Sequence, residues 1–248
     1  MKMTKKKIPV AIQLYSLRDV APGDVAGTLR KVAAMGYEGV EFAGYYDLDG
    51  NALRKLLDDC GLRCAGSHLG LDLLEGDAFE KTVAMNKILG NDRLVVPSAD
   101  LNNLPMTISR LNAAHERAKA VGMRTGFHNH THEFDLENGV TKFDLIFSGT
   151  PADFIVQLDI GWATCAGQDV PAILRKYNNR LDTVHIKEFS PDDPKAAVGE
   201  GLVKWPAIFD ILENETAVQW YIVEQEQFTV GPMESAKTCI ENIRKFGR

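Results

Sequence analysis

Eight short apolar runs recur along the chain, with starts about 25 to 37 residues apart and a helical pattern filling each interval. The runs are Val10–Leu14, Gly39–Phe42, Arg63–Ser67, Arg93–Val96, Arg124–His128, Phe154–Asp159, Thr183–Lys187 and Trp220–Glu224. Four of them are entered through a similar joint: Met35-Gly36-Tyr37, Cys60-Gly61-Leu62, Leu89-Gly90-Asn91 and Val121-Gly122-Met123. Glycine at such a joint takes the left-handed conformation that ends a helix. The intervals are amphipathic, as in 106–120, where Ile108, Leu111, Ala114 and Ala118 share one face. Eight strand–helix units with no long linker or composition break predict an α/β fold, a single (β/α)8 barrel over residues 1–248, with 1–8 as a flexible tail. A doubly wound open sheet would usually carry a glycine-rich phosphate loop after its first strand. Here that strand runs into Tyr15-Ser16-Leu17-Arg18 instead.

Composition narrows the partners. A net charge of −6 argues against a protein that tracks a phosphate backbone, and Lys5-Lys6-Lys7 reads as a solvated terminal run. No apolar run approaches the ~18 residues of a membrane span. The segment from Met1 to Pro9 is basic without an apolar stretch, so no secretory leader is read there and a cytoplasmic location is expected. The four cysteines, Cys60, Cys64, Cys165 and Cys239, lack metal-ribbon or redox spacing and read as small hydrophobes.

In such a barrel the chemistry belongs at the C-terminal strand ends. Polar residues gather there: Glu41, His68, His128-Asn129-His130, Asp159, His185, Lys187, Glu224 and Glu226. A single one of these is unremarkable, but metal-type side chains from several strands at one end point to a site. Strand alternation turns His128, His130, Asp159, His185, Lys187 and Glu224 inward, with Leu158, Val184, Ile186 and Val223 outward. His128, Asp159, His185 and Glu224 can thus converge as N/O ligands of one divalent ion.

The segments Ile12-Gln13-Leu14-Tyr15-Ser16-Leu17-Arg18, Gly39-Val40-Glu41-Phe42, Gln157-Leu158-Asp159-Ile160-Gly161-Trp162, Val184-His185-Ile186-Lys187-Glu188 and Gly199-Glu200-Gly201-Leu202-Val203-Lys204-Trp205 resemble the sugar phosphate isomerase/epimerase family of xylose isomerase-like barrels. The resemblance covers nearly the whole chain. It implies a metal held by a Glu, an Asp, a His and a Glu from strands five to eight, and a sugar substrate. Asp159, His185 and Glu224 match the last three positions; at strand five, His128-Asn129-His130 stands where the family has Glu-Asn-His.

That departure has chemical content. Three carboxylates around a divalent cation leave the centre negative, whereas two leave it neutral and more acidic towards a carbonyl oxygen. An imidazole in place of an oxygen also shifts preference from manganese or magnesium towards zinc or cobalt. The family's epimerases exchange a proton between two metal-bound glutamates, and this chain keeps only Glu224 of that pair. His130, His68, Lys187 and Glu133 are the candidates for a second proton carrier, histidine being suited because an ordinary imidazole titrates near neutrality. We therefore expect Glu224 and His130 as catalytic residues and Glu41, His68, Trp162 and Lys187 around the substrate. In the resemblance, Glu41 and His68 occupy positions that bind substrate or orient a ligand. Trp205 should anchor the helix after the glycine loop, and His115 and His132 should be bystanders.

The expected activity is metal-dependent isomerisation or epimerisation beside the carbonyl of a small sugar or keto-sugar, through an enediolate-like intermediate. The missing glutamate brings in a lyase alternative, elimination from a 3-keto-glycoside, which needs one base and a general acid. Nucleic-acid cleavage of the endonuclease IV type needs several zinc ions and a basic groove, a poor fit to six histidines and a charge of −6. A barrel that binds sugar without turning it over is a third class. Neither nucleic acid nor membrane is expected as a partner, while a homo-oligomer is compatible with the sequence.

Overall fold

The computed structural model describes residues 7–248. Eight parallel strands close on themselves: β1 (Val10–Gln13), β2 (Gly39–Ala43), β3 (Arg63–His68), β4 (Arg93–Val96), β5 (Arg124–His128), β6 (Ile155–Asp159), β7 (Thr183–Ile186) and β8 (Trp220–Val223), with β8 pairing back onto β1. Helices occupy the outside: α1 (Val25–Met35), α2 (Gly50–Cys60), α3 (Ala78–Ile88), α4 (Leu104–Lys119), α5 (Lys142–Ser148), α6 (Ile160–Cys165), α7 (Val170–Lys176), α8 (Trp205–Glu215) and α9 (Pro232–Lys245). The fold is the expected (β/α)8 barrel. Strand ends shift by about one residue: Leu14 starts a 3-10 turn, and Lys187 and Glu224 lie just past their strands.

The four joint glycines all take positive φ, from 65° at Gly61 to 94° at Gly36, so the helix stops read from sequence hold. Helix α4 starts at Leu104 rather than 106, because Asn103 accepts from Met106 N and Pro105 sits in the first turn. Of its expected face, Leu111, Ala114 and Ala118 are buried and Ile108 packs beside them. Between β5 and α5 the chain adds a two-rung hairpin, Leu136–Glu137 against Val140–Thr141, turned by Asn138-Gly139 at positive φ. The expected tail over 1–8 falls largely outside the described residues; of the two that are described, Lys7 is exposed and Ile8 is buried in the core.

The main core lies between the outward strand faces and the helices, with Phe42, Phe127, Leu158, Val184, Ile186, Tyr221 and Val223 all fully buried. Inside the barrel, Ala11, Ala65, Trp220 and Ile222 form a separate apolar cluster. Gly39 makes room for it, since a Cβ there would lie 2.8 Å from the Trp220 ring. Further along the lumen the side chains become polar. Gln13, Glu41, Gln157, Thr183 and His185 are each fully buried and bonded to one another. No described helix is long and apolar enough to cross a membrane.

Candidate metal centre and active-site cavity

Four consecutive strands deliver the expected donors to one point. His128, Asp159, His185 and Glu224, all buried, offer ligand atoms within 4.8 Å of one another. Asp159 is placed twice over. It ends β6 and caps α6, its Oδ1 accepting from Trp162 N at 2.7 Å, while its own N–H donates to Asn129 Oδ1 at 2.9 Å. Oδ2 is left buried with no partner, and so is Nδ1 of His128. Orphaned buried acceptors are costly and rare, and here both residues belong to the one donor cluster. A divalent cation would satisfy them, and the N/O donor set fits one.

His185 spans two layers. Its Nδ1 lies 3.0 Å from Glu224 Oε2 and 3.9 Å from Asp159 Oδ2, while Nε2 lies 2.8 Å from Glu41 Oε2. Glu41 reaches this point because the β2–β3 register shifts between Val40 and Glu41, setting Glu41 against Gly66. A Cβ on Gly66 would sit 2.6 Å from Glu41 Oε1, so only glycine leaves the carboxylate room. Glu41 also accepts from Gln13 Nε2 and Gln157 Nε2, each at 2.7 Å. Among the substrate-binding expectations, Glu41 is the one that geometry relocates. It is fully buried beneath the donor cluster, its carboxylate against His185 Nε2.

The electrostatics follow from this packing. Burial alone would lower His185, but the carboxylates of Glu41 and Glu224 outweigh it and lift the imidazole to about 10. Burial likewise pushes Glu224 up, yet the hydrogen bond and charge of His185 bring it well below the ordinary carboxylate value. Asp159 goes the other way, raised by burial and by Glu224 against the pull of Lys187 and His185. Burial and the charges of the neighbouring histidines keep His128 well below its ordinary value, hence neutral and ready to donate a lone pair.

Above the donors opens a cavity of ≈ 350 Å³ whose walls include Tyr15, His68, His128, His130, Glu224 and Glu226. His68 stacks on His185 with centroids 5.2 Å apart, and its Nε2 meets Gln157 Oε1 at 2.6 Å. His130 stands edge-on to His128 at 5.0 Å and 6.0 Å from Trp162. Trp162 and Lys187 line an adjoining space, with Lys187 Nζ 4.8 Å over the indole and 2.8 Å from Glu226 Oε1. Burial opposes the charge on Lys187, but Glu224, Asp159 and Glu226 outweigh it and raise its pKa.

Three other expectations resolve locally. Glu133 is buried and accepts from His130 N at 2.7 Å, so it shapes the loop and does not face the cavity as a proton carrier. His115 is held between Thr125 and Asp153 within the barrel wall, and His132 is exposed, both away from the donors. Trp205 is buried at the start of α8, its indole N–H on Glu188 Oε2 at 2.7 Å.

The residues missed by sequence reasoning are Gln13, Gln157 and Glu188. Gln157 stands two residues before Asp159, so the alternation that turns Asp159 inward turns Gln157 inward as well. Glu188 accepts from Phe189 N, Gly199 N, Val203 N and Trp205 Nε1, gathering the long loop after β7 around one carboxylate. Spacing alone carries no signal for that.

A closed parallel barrel with an N/O donor cluster at the C-terminal strand ends defines a protein of the barrel-enzyme class. The chain belongs to the xylose isomerase-like TIM barrel family, whose model matches residues 29–246. It is 24% identical over 265 residues to an inosose dehydratase of Clostridium beijerinckii, with 87% of each chain covered. A sugar phosphate isomerase/epimerase from Parabacteroides distasonis superposes with a TM-score of 0.83 at 24% identity, covering 98% of this chain and 96% of that one. An L-ribulose 3-epimerase superposes with a TM-score of 0.71 at 17% identity, over 97% and 94%. At these identities the superpositions establish a shared fold.

Proposed function

We propose that the protein is a metal-dependent enzyme that moves a proton at the carbon beside the carbonyl of a small sugar or keto-sugar, through an enediolate-like intermediate. The carrying observation is that Glu224 belongs to the donor cluster and also lines the cavity above it, beside three imidazoles. His128, Asp159, His185 and Glu224 would hold the cation, with zinc or cobalt suited to two imidazoles and manganese or magnesium less so. When bound, the cation supplies Lewis-acid polarisation of a substrate oxygen and so acidifies the neighbouring C–H.

Glu224 takes that proton. His130, in the same cavity, is the proton donor on the return step, and His68 and Lys187 hold substrate hydroxyls. Glu41 orients His185, and burial of the whole layer excludes water from beneath the substrate. Delivering a proton to the neighbouring carbon, with the hydroxyl proton passing to the former carbonyl oxygen, gives isomerisation, and delivery from His130 to the other face of the same carbon gives epimerisation.

A second reading is elimination, with Glu224 as base and an imidazole protonating a departing hydroxyl. It is favoured by His128 standing at strand five, which leaves one carboxylate base, and by the likeness to inosose dehydratase. Incubating the metal-loaded protein with a panel of keto-sugars and keto-inositols in D2O, followed by NMR, tests both. Deuterium entering one carbon of a rearranged sugar supports isomerisation or epimerisation, and loss of water with a new unsaturated product supports elimination. Neither exchange nor loss of water with any member of the panel would sink both readings.

A further inference from the structure

We propose that the active-site cavity has a second lobe built for an aromatic group attached to the sugar, so that the substrate is an aryl glycoside bearing a ring ketone rather than a free monosaccharide. This rests on the sugar chemistry proposed for the first lobe. That lobe, at ≈ 350 Å³, is by itself within the size range of small-molecule sites. A second space of ≈ 280 Å³ adjoins it, and Glu226 lines both.

The walls of the second lobe are chemically different from those of the first. Trp162, Phe189, Pro191 and Pro194 give it apolar sides. Several of the polar groups nearby are already engaged. Glu188 is saturated by its four donors, and Gln225 Nε2 donates to Ala196 O and Gln227 O. A second sugar ring would bury several hydroxyls there with few partners, a costly exchange. A flat apolar ring loses nothing. The lobe is also preformed, because Glu188 holds the loop that carries Phe189 and both prolines.

The test uses the metal-loaded full chain and matched pairs of phenyl and methyl 3-keto-glycosides of common aldoses, with affinities measured by ligand-observed NMR. The phenyl member should bind about tenfold tighter or more, as expected for burying a ring. Phe189→Ala should erase that preference and leave methyl glycoside affinity unchanged. Independently, Cys165 lines this lobe and is the exposed one of the four cysteines. Its alkylation by iodoacetamide, followed by peptide mapping, should slow with the phenyl member and not with the methyl member. Equal affinity within every pair, or no detectable binding of any glycoside, overturns the proposal. Exchange in D2O without a phenyl preference overturns the lobe alone. A phenyl preference without exchange on any keto-sugar leaves the lobe standing and sinks the proposed chemistry.

Discussion

Nε2 of His185 lies 2.8 Å from Glu41 Oε2, so a carboxylate on β2 fixes the ring of a donor on β7 across the barrel. This contact assigns the Nε2 proton to Glu41 and turns Nδ1 towards Asp159 and Glu224. Outer carboxylates of this kind hold ligating imidazoles in one tautomer, and their loss typically weakens metal binding 10–100-fold. Glu41→Gln should therefore lower affinity by about that factor while leaving the rate at saturating metal largely intact. Competition against a chromophoric chelator measures it, and wild-type affinity in the variant would show that Glu41 serves folding alone.

Metal uptake should expel protons. In the metal-free protein His185, lifted to about 10, is an imidazolium at neutral pH, and Asp159 is held above its ordinary value. A cation on Nδ1 must displace at least one proton, so affinity should fall about tenfold per unit as pH drops from about 8 to about 6. Calorimetry in buffers of different ionisation enthalpy counts the protons, and a count of zero would remove His185 from the ligand set. The metal-free fold carries the matching signature. A folded pKa above the unfolded value of ~6.5 contributes stability that is fully present below that value and lost as pH rises through about 10. Glu41→Gln should therefore destabilise the metal-free protein more at neutral pH than near pH 10.

Glu224→Gln keeps an oxygen where the carboxylate stood and removes the base. Metal should be retained under saturating conditions, while turnover falls by roughly 10²–10⁴ and proton exchange with D2O vanishes in parallel. Residual activity above about a tenth of wild type would pass the role to His130, His68 or Glu226. Exchange that persists while turnover stops would place Glu224 after proton removal.

Lys187→Met should leave metal content unchanged, since Nζ pairs with Glu226 and not with the donor cluster. Losing a charged hydrogen bond to substrate should cost about 10–100-fold in kcat/KM. Metal loss in this variant would make Lys187 a structural counter-charge to Asp159 and Glu224.

Glu188→Ala should strip the shared acceptor from three backbone N–H groups and the Trp205 indole at once. Each buried donor left unpaired costs about 1–3 kcal/mol, so the loop over 189–204 should open first. Limited proteolysis should cut there in the variant before the barrel melts. Unchanged protease resistance would show that the loop is held by its apolar contacts instead.

The eight strands and their inward donors were legible because period-two alternation and joint glycines are local signals. His185 and Ile186 face opposite sides for reasons visible in four residues of sequence. Glu41 was legible only as a strand-end acid. Its descent beneath the donors depends on a register shift against Gly66, a relation between two strands that no single strand encodes. Glu188 escaped for a similar reason, because its partners come from residues up to 17 positions away with no repeating interval. Glu133, a candidate proton carrier from its place after strand five, is buried instead, and its hydrogen bond closes a turn of its own loop.

The four donors come from β5, β6, β7 and β8, and β8 is also the strand that zips onto β1 to close the ring. A folding chain can assemble the first half of the barrel and still present no complete coordination set. A bound cation would thus reward only the final act of closure, when the last strand arrives between its neighbours. At a hundredfold excess over its dissociation constant, that reward is about 2.7 kcal/mol placed on the native state alone. Metal supply would then set how long the ring stays shut, making the barrel's kinetic lifetime a readout of the ion.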